Sequence, residues 1–341
     1  MRRTSILLAA LVVLAACSGS PGGTTDSTVP AGDATTVPAD ATPGEVTLLA
    51  YDSFTPAEGI FDAFEKQTGA KVKVVTGGDS GSLISKAILT AGNPEGDVLW
   101  GVDNTTLSRA EGARLLDSYE LVDEGDVCVN YDKQWYASRG ITPPASLDDL
   151  VKPVYRGQLV VQDPVNSSPG LAFLMASVAK YGDGWRQWWA QLKDNKVRIA
   201  ADWTAAYTAD FSGSSGKGKY PLVVSYGSSP PAEVLYAATP IDEPPTGVIE
   251  STCFRQTEYV GVLRGTKNPG IARALVDYLL DVPFQESMPL SLFVFPVNPQ
   301  AKLPELFARF AVRAASPLTL DPDVIAENRD GWLDEWRAIA L

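Results

Sequence analysis

The sequence predicts an α/β protein of two lobes, each built on a largely parallel sheet. Three observations lead there. Short β-rich runs alternate with stretches of helical periodicity along most of the chain. Beyond residue 45 the chain is about 300 residues long, enough to fill two cores. Two strand-like segments suited to passing between lobes, near residues 128 and 253, lie far apart in sequence.

The elements follow in order. Val46–Tyr51 is an apolar strand. Residues 58–69 form a short helix with Ile60, Phe61 and Phe64 on one face and Gly69 as its stop. Lys71–Val75 is a second strand, Ser82–Leu89 a helix, Asp97–Val102 a third strand and Thr105–Leu116 a helix. This βαβαβ entry is that of a Rossmann-like lobe, although no dinucleotide fingerprint accompanies it. Val127–Tyr131 is a strand that leaves the lobe. Gln158–Gln162 begins the second one, followed by helices over 170–181 and 183–195 and strands over 196–200 and 222–225. Glu258–Leu263 is a returning strand, Asn268–Leu280 a helix, and Asp321–Leu341 a C-terminal helix with Trp332, Trp336 and Ile339 apolar. The expected partition is residues 46–127 plus 258–341 in lobe 1 and 132–252 in lobe 2, with hinge crossings near 128–131 and 253–257.

The first 45 residues are not expected to fold. Residues 1–16 carry Arg2 and Arg3 and then an apolar run, which is the pattern of a secretory signal. The run is short for a bilayer span. It ends Leu14-Ala15-Ala16-Cys17, which resembles a bacterial lipobox and implies lipidation at Cys17. Residues 18–45 are rich in Ser, Thr, Gly, Pro and Ala and read as a flexible tether. The folded part is thus expected outside the cell, lipid-anchored on the outer face of the cytoplasmic membrane.

The chain carries 28 basic and 41 acidic residues. Loss of the leader leaves 26 basic residues against the same 41 acids, a formal balance of −15. That argues against nucleic acid or anionic lipid as partner and suits a cationic ligand, although acidity also serves solubility. There is no histidine. Ser-His and Cys-His nucleophiles, His-containing zinc sites and His acid–base chemistry are therefore excluded. Cys128 and Cys253 remain after lipidation. In an oxidising compartment they form either a disulfide or two buried thiols, and their position at the two crossings favours a bridge that staples the hinge.

Several segments place polar groups at strand ends. Gly78-Asp79-Ser80-Gly81-Ser82 looks like a serine-protease nucleophile segment, but without His there is no base for Ser80. It reads instead as a loop before a helix, with Asp79 either capping that helix or facing a ligand. Asp163 to Gly170 opens a helix, where Ser167 and Ser168 serve as cap or as contacts for an oxygen-rich or anionic group. Trp203 and Tyr226 follow strands, where α/β lobes line their crevices. Phe293 lies in an apolar run that suits either core or cleft. The Trp185, Trp188 and Trp189 trio is at helical spacing and reads as packing.

Taken in order, several pieces resemble the thiamine-binding proteins of bacterial ABC importers. They are Tyr51 to Phe54, Val102 to Asn104, Gln162 to Pro164 with Ser167 to Leu171, Trp203 to Tyr207, Ser225-Tyr226 with Ser229-Pro230, and Phe295 to Val297. The resemblance implies a type II periplasmic-binding fold and a small cationic ligand, thiamine or a phosphate ester of it. It implies stacking aromatics at Tyr51, Trp203 and Tyr226, an acid at Asp79 beside Ser80, and helix-start serines at Ser167 and Ser168. The family has a Trp where this chain has Phe293, and an aromatic where it has Ala232.

The expected protein is a monomeric, non-enzymatic solute-binding protein that delivers its ligand to ABC permease subunits, with no cofactor, metal or nucleic acid. Other cationic solutes such as polyamines, ferric iron, and a secreted hydrolase are the alternatives. The thiazolium charge is permanent, so rings over it gain about 0.5–2 kcal/mol each in cation–π energy. The hydroxyethyl arm, or a phosphate on it, is expected to reach the Ser167–Gly170 helix start.

Overall fold

The structure, a computed structural model, describes residues 44–215 and 217–341. The leader, Cys17 and nearly all of the tether lie outside the described residues.

The first lobe begins as its sequence dictates. Strand β1 (Glu45–Ala50) leads to α1 (Asp62–Thr68), which stops where Gly69 adopts φ 74° and returns its N–H to Glu65 O. Next come β2 (Lys71–Thr76), α2 (Ser80–Leu89), β3 (Val98–Asp103) and α3 (Leu107–Gly112). Helix α3 is shorter than the residue 105–116 pattern suggested. Arg114 takes a positive φ of 50° and turns the chain directly into β4 (Leu116–Asp132).

The second lobe contains α4 (Lys133–Arg139), β5 (Leu159–Gln162), α5 (Ser168–Tyr181), α6 (Trp185–Asp194) and β6 (Arg198–Ala200). A π-helical turn over Ala205–Asp210 precedes α7 (Ser212–Ser215), β7 (Leu222–Tyr226) and α8 (Pro230–Leu235). Strand β8 (Thr246–Leu263) returns. Helices α9 (Pro269–Leu280) and α10 (Val282–Ser291), strand β9 (Phe295–Pro296), α11 (Glu305–Phe310) and α12 (Pro322–Ala340) complete the chain.

The sheet runs β2-β1-β3-β8-β4-β7-β5-β6, with β9 on β4. It is two parallel wings, β2-β1-β3 and β7-β5-β6, joined through antiparallel β8 and β4. The wings match in topology: β1, β2 and β3 are arranged as β5, β6 and β7 are. Each central strand, β1 or β5, therefore marks a point where the strand order reverses, and crevices open at the C-terminal ends of such strands.

Strands β4 and β8 are the crossings, and they pair with each other from Leu116↔Leu263 to Asp132↔Thr246. Both are much longer than the sequence suggested, because Asp117, Glu120, Asp123, Glu124 and Asp126 break the apolar signal of β4. A bulge lies between Val127 and Val129, and there Cys128 is disulfide-bonded to Cys253 across 125 residues of sequence.

Separate apolar cores flank this ribbon. One joins Val46, Leu48, Trp100, Val260, Leu275, Phe284 and Met288. Another joins Val129, Phe173, Trp185, Trp188, Trp189 and Val224. Helix α12 departs from the expected partition. Its Ile325, Trp332, Leu333 and Trp336 pack in the second core rather than the first, and the Trp336 ring meets Trp189 edge-on at 5.6 Å. The Trp-rich face of α6 needs an apolar cover, and α12 supplies it.

Candidate functional site

Between the wings lies a cleft of about 430 Å³, within the range of small-molecule sites. Several of its side chains sit at or just beyond strand ends. Tyr51 follows β1, and Asp79 and Ser80 follow β2. Trp203 follows β6, and Tyr226 ends β7. Phe293 comes after α10 and holds the uncommon φ of 57° at the cleft rim.

Asp79 joins the two sides. It caps α2, where its Oδ1 accepts the Ser80 N–H at 2.8 Å, and its Oδ2 accepts the Trp203 N–H from the other lobe at 3.1 Å. Asp79 thus caps its helix and also lines the cleft. Burial pushes its pKa up, while Ser167 and the two N–H groups pull it down. Beside it the Gly81 N–H donates to Asn166 O at 3.0 Å, a second link between lobes. A Cβ on Gly81 would lie 2.6 Å from Val165 O, so only glycine permits this approach.

The aromatic groups come from both lobes. Trp203 stacks on Tyr207 at 5.0 Å and 13°, and its Nε1 donates to Ser225 Oγ at 3.0 Å. Tyr207 donates to Glu233 at 2.7 Å. Tyr236 meets Phe293 edge-on at 5.9 Å at the mouth. Tyr51 directs its hydroxyl to Glu258 Oε2 at 3.2 Å, and Tyr226 accepts from Gln256 Nε2 at 3.4 Å. Burial and neighbouring carboxyl groups push the pKa values of Tyr51 and Tyr226 well up, so both remain neutral phenols.

Tyr51, Asp79, Ser80, Trp203, Tyr226 and Phe293 thus converge on one cleft. Ser167 and Ser168 do not line it. They are 1% and 3% exposed; the Ser167 hydroxyl acts on the Asp79 carboxyl from the side, and the Ser168 hydroxyl has no hydrogen-bond partner. The α2 loop closes over the start of α5 through Gly81 and Asn166, so α5 presents Pro169 to the cleft instead. The sequence reading missed Asp123, Gln256 and Glu258 on the crossing strands, and Tyr207, Glu233 and Tyr236 in the second lobe. Tyr236 is one helical turn beyond Ala232, and that spacing was the available signal: it supplies an aromatic close to where Ala232 lacks one.

The charge is one-sided. Asp79, Asp123, Glu233 and Glu258 line the cleft, and among the described residues no Lys or Arg does. Asp123 and Glu258 are direct partners in the β4–β8 register. Trp100 Nε1 donates to Glu258 Oε2 at 2.7 Å. Burial pushes Asp123 up to about 7 and Glu258 well above its usual range, and each carboxyl group resists ionisation of the other.

Two hinged wings meeting around an aromatic, acid-lined cleft define a ligand-binding architecture, and the chain belongs to the family of bacterial extracellular solute-binding proteins, whose profile matches residues 51–286. Within that family it is similar to thiamine-binding periplasmic proteins. That of Salmonella typhimurium strain LT2 is 29% identical over 316 residues, covering 86% of this chain and 92% of the relative. That of Escherichia coli strain K12 is 28% identical over 320 residues, with 86% and 92% covered. Among solved structures, a periplasmic thiamin binding protein superposes with a TM-score of 0.77 at 26% identity, covering 87% of this chain and 96% of that one. The fold is the type II periplasmic-binding fold.

Proposed function

We propose that this protein is the extracytoplasmic thiamine-binding component of an ABC importer, tethered through Cys17 and handing its ligand to a permease. The observation that carries the reading is the cleft itself: π-faces from both lobes, four carboxyl groups and, among the described residues, no basic side chain. A permanent organic cation fits that surface, and each ring placed over the thiazolium adds about 0.5–2 kcal/mol. Lobe closure about β4 and β8 is the accompanying motion, with Asp79 and Gly81 as the contacts that hold the closed form.

The hydroxyethyl arm has no basic group to meet, and the buried Ser167 and Ser168 are behind the closed loop. A phosphate there adds negative charge to an already acidic cleft, so free thiamine binds more tightly than its esters. Calorimetric titration with thiamine, thiamine monophosphate, spermidine and ferric iron tests the reading, together with mass spectrometry of the small molecule released on denaturation. Tight thiamine binding without turnover supports it. Binding of spermidine or iron with no thiamine binding overturns it, and a preference for the monophosphate overturns the arm assignment.

A further inference from the structure

We infer that the Asp123–Glu258 carboxyl pair at the cleft floor selects for a positively charged ligand and gives up a proton to solvent when one binds. The inference rests on the reading of the cleft as a site for an organic cation, and adds to it which residues set that preference and how binding responds to pH.

The geometry is specific. Asp123 on β4 and Glu258 on β8 are register partners, 2% and 3% exposed, and both line the cleft. Glu258 Oε2 is already engaged by Trp100 Nε1 and approached by the Tyr51 hydroxyl. Asp123 Oδ2 has no hydrogen-bond partner. An independent sign is next to it: Gln256, 3% exposed and also lining the cleft, leaves Oε1 without a partner. Unpaired acceptors buried at the end of a cleft await a donor or a positive charge.

Among the described residues no basic group offsets the pair. The neighbours that act on it are Tyr51 beyond β1, Trp100 and Asp103 on β3, Glu124 on β4, Tyr226 on β7 and Gln256 on β8. Asp79 faces Tyr226 from the loop after β2. The cations nearby are committed elsewhere. Arg255 bonds Asp126 and approaches Glu124, Arg313 pairs with Glu124, and Arg329 pairs with Asp330 while facing Asp103. The first carboxyl group of the pair to ionise does so near neutrality because burial and its partner both resist the charge. A cation in the cleft removes that resistance, and the proton held by the pair leaves. The stem of the cleft on the crossing strands is therefore a charge sensor that either lobe reaches.

Titration calorimetry of the full-length protein with thiamine from pH 5.5 to 8.5, in two buffers of different protonation enthalpy, tests this. Affinity should rise with pH, by up to about tenfold per pH unit where one proton is released, with the released proton read from the buffer difference. Glu258→Gln, which keeps an oxygen acceptor for Trp100, should flatten the slope and abolish proton release. Asp123→Asn should do the same, and thermal melting confirms that each variant is folded. A neutral thiophene isostere of thiamine should bind more weakly and without the slope. Thiamine binding that is independent of pH and releases no proton, or a slope that survives in both variants, overturns the inference and leaves the functional reading standing. Absence of thiamine binding at every pH overturns the functional reading and the inference with it.

Discussion

Replacement of Gly81 by alanine separates ligand capture from folding. The new Cβ would lie 2.6 Å from Val165 O and 2.8 Å from Asn166 O, both backbone atoms that no rotamer change moves aside. Carbon–oxygen contacts settle near about 3.3 Å, so the α2 loop must retreat by roughly 0.7 Å. The Gly81 N–H to Asn166 O bond, now 3.0 Å, stretches past useful length, and the Trp203 N–H to Asp79 bond beside it weakens. Together these cost the closed form about 1–3 kcal/mol, which is roughly a 5- to 150-fold loss of affinity. The open form pays nothing, since alanine in a helix is favoured over glycine by about 0.5–1 kcal/mol. The expected result in calorimetry and thermal melting is weaker thiamine binding with an unliganded melting temperature equal to or above wild type. Wild-type affinity in this variant would refute the claim that the inter-lobe contact belongs to the bound state.

Other outcomes follow from the same geometry. Trp203→Ala removes the face stacked on Tyr207 and should weaken thiamine binding by about 1–3 kcal/mol, with loss of much of the ligand-dependent tryptophan quenching. Removing the disulfide by Cys128→Ser with Cys253→Ser releases a constraint across 125 residues, about 4–5 kcal/mol in the chain-entropy account; melting should drop by several degrees. Trp336→Ala, at a fully buried position, should cost about 3–5 kcal/mol in denaturant unfolding while leaving thiamine affinity intact. Asp123 has a folded-state pKa raised from 3.8 to about 7, so its contribution to stability falls as pH rises through that window. Wild type should therefore lose stability relative to Asp123→Asn between those pH values in the absence of ligand.

Much of the architecture was legible because its signals are local. Alternating β runs and helical patterns placed most strands, and Gly69 and Asp79 marked helix ends by their own conformational and hydrogen-bonding preferences. Strand ends pointed to Trp203 and Tyr226, since α/β lobes gather their crevice residues there, while Tyr51 came with the family resemblance. Other elements escaped. Helix α10 carries Pro283 and Pro289, which conceal its period. The first half of β4 is too acidic to read as a buried strand, and the first half of β8 is broken by Gly247, Glu250, Ser251, Thr252 and Arg255. Helix α12 follows lobe 1 in sequence, yet its tryptophan finds the other lobe's uncovered face.

Sequence by itself determined an α/β body, the absence of histidine chemistry and a net acidic balance, all properties of composition and short-range pattern. Tertiary structure alone decided that Asp79 reaches the Trp203 backbone, that the start of α5 is sealed, and that Asp123 lies against Glu258. These pairs are separated by more than a hundred residues, or closed off by another loop. Their chemistry arises only when distant backbones are held within a few ångströms, where burial raises the cost of each charge.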